Sequence, residues 1–358
     1  MKCHAPHTAL LAAVLCLAAT SCDDPKRAEQ LKWREEEAAA KLAAVAVREA
    51  EFAKEKHRIL EIQAGFAAER AAIDAARKAA EAERVRLTAE LAAEIEKTKA
   101  VRREIEIRNL RGPIPQISAE RCIVIDPASK DVLFEKNADK RGAIASTTKI
   151  MTALLVVEAG NLDQIVTVEQ SDTQCAPVRL GIKAGETYTR RQLLTAVLVK
   201  SSNDIAQALA RDNAGSVDAF VTKMNERAVA MGLQNTHFVN PHGLPGLTED
   251  QPYSTARELA AIACIADALP EVRGIVRLQS YKFTKPDGKV IDLSNTNRVL
   301  RSAAYCDGMK TGYTNAAGYC LVATGERNGR RRIVVLLNDT ESGVWRDAQS
   351  LLDWALKA

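Results

Sequence analysis

The sequence predicts an α/β (α+β) domain, a single antiparallel sheet flanked by helices, preceded by a long N-terminal α-helical stalk. Three observations lead there. From about Pro25 to Arg111 runs one charged, alanine-rich tract of strong helix formers, with no proline after Pro25. Gly112-Pro113-Ile114-Pro115 then breaks it. Beyond the break, strand-like segments stand at both ends of the chain with helix-like segments between them, the pattern of one α+β domain. At about 245 residues that part is long enough to bury its own core. The expected division is 1–22, 23–111 and 112–358.

The first division reads as an export signal. Lys2 supplies a positive charge, and the apolar run from Ala9 to Ala19 is too short to span a bilayer comfortably. It ends in Ala19-Thr20-Ser21-Cys22, which resembles a bacterial lipobox, although Ala19 stands where leucine is usual. Lipidation of Cys22 is expected, with plain secretion as the alternative. Either places the mature protein in the bacterial cell envelope or periplasm, held to a membrane if Cys22 carries lipid.

In the second division Val45, Phe52, Ile59, Phe66, Ile73, Ala80 and Leu87 recur every seven residues, a coiled-coil period. Glu55, Glu69 and Glu83 interrupt the companion positions, so the seam is thin. A helical spacer is expected, roughly 120 Å long at 1.5 Å per residue. Self-association through the stalk is a further expectation, and a helix with no spacing role is the plainer reading.

In the third division, strands are expected over Ser118 to Ile125 and Val132 to Lys136, joined by the turn-rich Asp126-Pro127-Ala128-Ser129-Lys130. Helices follow at Ser146 to Ala159, Arg191 to Val199, Asn203 to Ala210 and Val217 to Met231. Strands return at Tyr281 to Thr284, Cys306 to Tyr313, Tyr319 to Glu326 and Arg331 to Leu337, the last two joined by the hairpin signal Asn328-Gly329. The basic run Arg330-Arg331-Arg332 reads as a solvated strand start. A helix from Val344 to Leu356 closes the chain.

Composition narrows the chemistry. A net charge of +4 and 4% aromatic residues argue against a nucleic-acid partner. The eight cysteines form no C-x-x-C pair, so a structural zinc site is not expected, and no carboxylate-histidine pattern stands out to suggest another metal. Buried thiols acting as small hydrophobes are the simplest reading of them, with disulfides open to an exported chain. No phosphate-binding glycine loop stands out, and no cofactor is expected.

Three short elements carry chemistry. Ser146-Thr147-Thr148-Lys149 opens an apolar helix, and residues three apart share a helix face. A serine hydroxyl needs a neighbouring base, and a lysine serves only where burial or nearby positive charge favours its neutral form. Ser201-Ser202-Asn203 follows an apolar run, where a second serine can relay a proton and an amide can hold both a lysine and a substrate carbonyl. Lys310-Thr311-Gly312 lies in an expected strand, where ammonium and hydroxyl suit a terminal carboxylate and glycine permits close backbone approach. Each alone has a plain reading: a helix cap, another cap, a surface turn. His237 and His242 sit in a loop rich in Asn, Pro and Gly, where a structural role is expected because the lysine leaves no vacancy for a histidine base.

Together the three resemble the signature of serine β-lactamases and penicillin-binding proteins. The segments from Ile144 to Leu154, Asn235 to Leu244, Asn295 to Asn297 and Asp307 to Thr314 are similar to the D-alanyl-D-alanine carboxypeptidase family, over about two thirds of the chain. The resemblance implies a β-lactamase/transpeptidase-like domain trimming the terminal D-alanine of peptidoglycan stem peptides, with β-lactam antibiotics as inhibitors. It implies Ser146 as nucleophile, Lys149 as general base, Ser201 as proton relay and Asn203 as the group orienting Lys149 and substrate. Lys310, Thr311, Gly312 and Tyr313 would bind substrate, with the backbone N–H groups of Ser146 and Tyr313 as oxyanion hole. Ser202 replaces a common glycine and is expected to face the cleft. Many relatives carry a further C-terminal domain and anchor helix; here anchoring is expected at the N-terminal end instead.

Three rivals remain open. A β-lactamase is disfavoured because Gln234 to Gly246 holds no glutamate to activate a deacylating water. A D,D-endopeptidase would share every catalytic residue. A catalytically weak, lipid-anchored peptidoglycan tether would use the stalk and the same domain as a wall binder.

Overall fold

The computed structural model describes residues 25–175, 177–246 and 250–357. Cys22, the apolar run before it, and Cys3 and Cys16 lie outside them. Contacts divide the chain into two compact units at Lys99/Ala100.

The long helix α1 (Pro25–Arg111) supplies the first unit. Its seven-residue stripe is exposed, from Val45 at 54% through Phe52 at 75% to Leu87 at 52%. With no core of its own, this stretch rests on propensity and on short-range ion pairs such as Lys41–Glu37 at 2.7 Å and Arg86–Glu83 at 2.6 Å. Such pairs contribute about 0.2–0.5 kcal/mol each. No helix among the described residues is long and apolar enough to cross a membrane.

The second unit is built on β1 (Arg121–Ile125) and β2 (Val132–Lys136) at the front of the chain. A 3₁₀ turn (Ala145–Thr148) and α2 (Lys149–Glu158) follow, then the short strands β3 (Ile165–Thr167) and β4 (Thr187–Thr189). Helices α3 (Arg190–Lys200), α4 (Asn203–Ala214), α5 (Val217–Ala230), α6 (Ala256–Ala268) and α7 (Pro270–Val276) make the middle. The hairpin β5 (Ser280–Thr284) and β6 (Val290–Ser294) leads through α8 (Val299–Ser302) to β7 (Cys306–Thr314), β8 (Gly318–Arg327), β9 (Arg330–Asp339) and α9 (Gly343–Ala355).

The five-stranded sheet runs β2-β1-β9-β8-β7, antiparallel throughout. Both faces are covered, which is why β9 reads as an unbroken apolar run. Ile333, Val335 and Leu337 face the helices α2–α7, while Val334 and Leu336 face Leu351 and Leu352 of α9. The chain order leaves β7 at an edge, with one side unpaired by any strand of the sheet. At the β8–β9 turn Asn328 and Gly329 both take positive φ, 55° and 72°, as a two-residue hairpin of this twist requires.

Four expectations change. The α-helix begins at Lys149, and Ser146 sits in the preceding 3₁₀ turn. The first strand starts at Arg121, because Ser118 leaves the sheet to bond the buried Asp347, its N–H 2.5 Å from Oδ2. Helices α6 and α7 were not anticipated, although Thr255 and Glu258 form a cap signal, with the Thr255 hydroxyl accepting from the Glu258 N–H at 3.1 Å. Two of the three arginines of the basic run are not solvated. Arg331 forks onto Asp267 and Asp307, and Arg332 meets Asp126 at 2.5 Å. The described cysteines, Cys122, Cys175, Cys264, Cys306 and Cys320, are buried free thiols.

Candidate active site

The fold brings the three sequence elements into one cleft between β7 and the helical layer. Ser146 is the only residue from Ile144 to Ile150 that is not buried. Its turn is forced by Ala145 at φ +47° and closed by Thr147 Oγ1 donating to the Ile144 carbonyl at 2.5 Å. Behind the turn lies Gly243, at φ +84°, where a side chain would meet the Ala145 carbonyl oxygen at 1.9 Å. In front lies Gly312 of β7, where a Cβ would stand 2.8 Å from Ser146 N and 3.1 Å from Thr147 N. Gly312 thus lets the edge strand pass directly against the serine's turn, a role additional to making room for substrate.

Lys149 is fully buried at the first position of α2. Its Nζ lies 2.7 Å from Asn203 Oδ1, 2.8 Å from the His242 carbonyl and 2.9 Å from Ser146 Oγ. Burial first, and the charge of Lys310 second, hold its pKa well below the usual lysine value. A neutral amine has two N–H donors and one lone pair. Asn203 Oδ1 and the His242 carbonyl can only accept, so they take both donors. The lone pair then faces the Ser146 hydroxyl, the arrangement a general base requires.

Ser201 and Asn203 come from the reversal between α3 and α4. Ser201 caps α3 in the left-handed region at φ +66°, and Asn203 opens α4. The Asn203 amide is not free to flip, because Nδ2 donates to the Pro177 carbonyl at 2.5 Å, leaving Oδ1 for Lys149. Ser202 corrects the expectation: it is fully buried, facing no cleft, and its Oγ meets no partner among the described residues.

Lys310 is buried on β7, with Nζ 2.9 Å from Ser201 Oγ and 3.0 Å from the Thr311 carbonyl. Two of three ammonium donors are so used, and burial pushes its pKa down to about 7. Ser201 therefore bonds Lys310. Thr311 Oγ1 donates to Thr296 Oγ1 at 2.7 Å, giving a role to a residue the sequence had marked only by resemblance. Tyr313 is 53% exposed and packs against Tyr319, the rings tilted by 41° with centroids 4.5 Å apart.

The two histidines separate. His237 pairs with Asp250 at 2.9 Å on the surface. His242 is buried, its Nδ1 accepts from the Leu244 N–H at 3.2 Å, and burial above all lowers its pKa to about 3. Its side chain is a neutral brace, and its carbonyl is what reaches the site. Sequence reasoning missed this carbonyl and that of Pro177, since main-chain acceptors leave no residue-type signal.

Residues 109–341 match the family described as D-alanyl-D-alanine carboxypeptidase. The chain is 35% identical over 246 residues to D-alanyl-D-alanine carboxypeptidase DacB2 of Mycobacterium tuberculosis, covering 68% of this chain and 84% of that protein. It is 34% identical over 244 residues to D-alanyl-D-alanine carboxypeptidase DacF of Bacillus subtilis, covering 66% of this chain but only 62% of that relative's length. The crystal structure of the Streptomyces K15 DD-transpeptidase is similar at a TM-score of 0.63 and 32% identity, covering 68% of this chain and 98% of that one.

Proposed function

This chain belongs to the D-alanyl-D-alanine carboxypeptidase family, and we propose on that premise that it is a serine peptidase removing the terminal D-alanine from peptidoglycan stem peptides. The observation that carries the reading is the position of Lys149 Nζ, 2.7 and 2.8 Å from two acceptor-only oxygens and 2.9 Å from Ser146 Oγ, so that the neutral amine would keep its lone pair for that hydroxyl. The substrate would lie as an added strand along the open edge of β7, its carboxylate on the free donor of Lys310 and on the Thr311 hydroxyl, which would turn to it from Thr296.

Ser146 Oγ attacks the penultimate carbonyl carbon while its proton passes to Lys149 Nζ. The resulting oxyanion takes the backbone N–H groups of Ser146 and Tyr313. As the C–N bond breaks, Ser201 gives its hydroxyl proton to the departing amine and is reprotonated with the proton Lys149 had taken, so free D-alanine leaves an ester on Ser146 and a neutral Lys149. Lys149 then accepts a proton from water as the hydroxide adds to the ester carbonyl, and returns it to Ser146 Oγ as the ester C–O bond breaks, releasing the shortened peptide. A β-lactam would enter the same path and stop at the ester.

The test is D-alanine release from a pentapeptide ending in D-Ala-D-Ala, using the full chain beside Ser146→Ala. Release that disappears in the variant supports the reading. Cleavage of cross-linked dimers with no release from the pentapeptide would transfer it to an endopeptidase.

The family also suggests an exported, periplasmic setting. We infer a lipid anchor on Cys22 with α1 as spacer; labelled palmitate that persists in Cys22→Ser would refute the anchor. We infer also that the exposed seven-residue stripe of α1 pairs two copies, which sedimentation of the isolated 25–111 segment as a monomer at high concentration would contradict.

A further inference from the structure

The segment 177–182 lies across the start of α4 as a strap, and it is gripped from both sides. Toward the site, the Pro177 carbonyl accepts from Asn203 Nδ2 at 2.5 Å and the Val178 carbonyl accepts from the Asn203 N–H at 2.8 Å. Asp204, 1% exposed, takes the far part of the strap. Its Oδ1 accepts from the Leu180 N–H at 3.1 Å, and its Oδ2 from Gly181 at 2.8 Å and Ile182 at 3.4 Å. From the other side, buried Lys285 of the β5–β6 turn donates to the Gly181 carbonyl and stands 4.0 Å from Glu186. One peptide unit on each side of Gly181 is therefore held by a buried charge, a carboxylate on its N–H and an ammonium on its C=O. Between the two grips Val178 is fixed at φ +61°, an unfavourable conformation for a β-branched residue.

We propose that Asp204 and Lys285 are positioning residues, which hold the strap so that Pro177 selects the orientation of the Asn203 amide and through it aims Lys149. The reasoning is one of donor and acceptor sign. An amide offers an oxygen at one end and two N–H groups at the other. The Pro177 carbonyl can only accept, so while it stays in place the nitrogen must face it and the oxygen must face Lys149. A strap that drifts releases this choice. A flipped Asn203 would aim N–H groups at the lysine and compete for its lone pair. Neither Asp204 nor Lys285 touches the reacting atoms, and the inference rests on the proposed role of Asn203.

A double-mutant cycle on the full chain separates action through Asn203 from a general structural effect. Asp204→Asn keeps the volume but turns N–H donors toward N–H donors. It is expected to slow acylation by a fluorescent penicillin about tenfold or more in the native background. In the Asn203→Ala background the same change should alter the rate less than about twofold, because the group it acts through is gone. Equal losses in both backgrounds, or an Asp204→Asn rate equal to the parent's, would overturn the proposal. Should Asp204→Asn fail to fold, Lys285→Met loosens the same peptide from the other side and is scored by the same cycle. If the parent chain takes no penicillin, the functional reading fails, and hydrogen exchange still decides the strap. Asp204→Asn should then speed exchange at Gly181, Ile182 and Asn203 about tenfold, and unchanged exchange at Asn203 would overturn the link.

Discussion

Replacing Gly312 with alanine should disable the enzyme while leaving it folded. The new Cβ would stand 2.8 Å from Ser146 N, 3.0 Å from Ala145 Cβ and 3.1 Å from Thr147 N. Two of these neighbours are main-chain atoms and the third is a side chain of one carbon, so none can rotate away. Ordinary contact begins at 3.4 Å, so β7 and the serine's turn must separate by about 0.6 Å. The two backbone N–H groups proposed for the oxyanion, those of Ser146 and Tyr313, lie on opposite sides of that gap. Misplacement approaching 1 Å at a reacting centre costs on the order of 100-fold. Overpacking of this size destabilises by about 1–3 kcal/mol, which a domain of this length tolerates. The assay is kcat/KM for D-alanine release together with the acylation rate by penicillin, with thermal unfolding as the control for folding. An alanine variant within about threefold of the parent in both rates would refute the reasoning, since it would mean the gap carries no geometric demand.

Two further predictions follow from the same geometry. Burial sets Lys310 near 7, so its ammonium is present below that pH and lost above it. The substrate carboxylate stays ionised throughout, so kcat/KM, which reports the free enzyme, should fall as pH rises through about 7. Lys310→Arg, charged at every accessible pH, should flatten that alkaline limb, and a limb unchanged in the variant would reassign it. Arg331→Met should destabilise the fold by about 3–5 kcal/mol, because Asp267, 2% exposed, would lose the fork that neutralises it. Urea unfolding measures it, and a shift below about 1 kcal/mol would show that Arg273, 3.3 Å away, suffices alone.

Much of this was legible in the residues, for identifiable reasons. The helix α1 is legible because propensity acts residue by residue and needs no partner. Strand β9 is legible because Ile333 to Leu337 is apolar throughout, although only the fold reveals that α9 covers one face of it. Strands β3 and β4, three residues each, are too short to display a period. In the candidate site, the roles proposed for Ser146, Lys149, Ser201, Asn203, Lys310 and Thr311 rest on side chains, so spacing exposes them. The Pro177 and His242 carbonyls do not, because every residue has one. Nor could the basic run announce its burial, since its acidic partners Asp126, Asp267 and Asp307 come from distant parts of the chain. Ser202 misleads for a related reason: it is bracketed by two site residues, yet a single step along a helix start turns it into the core.

The central claim is that Ser146, deprotonated by Lys149, carries the acyl group. Peptide mapping of the chain trapped with penicillin tests it most directly. The account predicts one adduct, on the peptide containing Ser146, absent from Ser146→Ala and slowed by about 100-fold or more in Lys149→Met. An adduct on the peptide containing Ser201, or one that forms at the parent rate without Lys149, would contradict it.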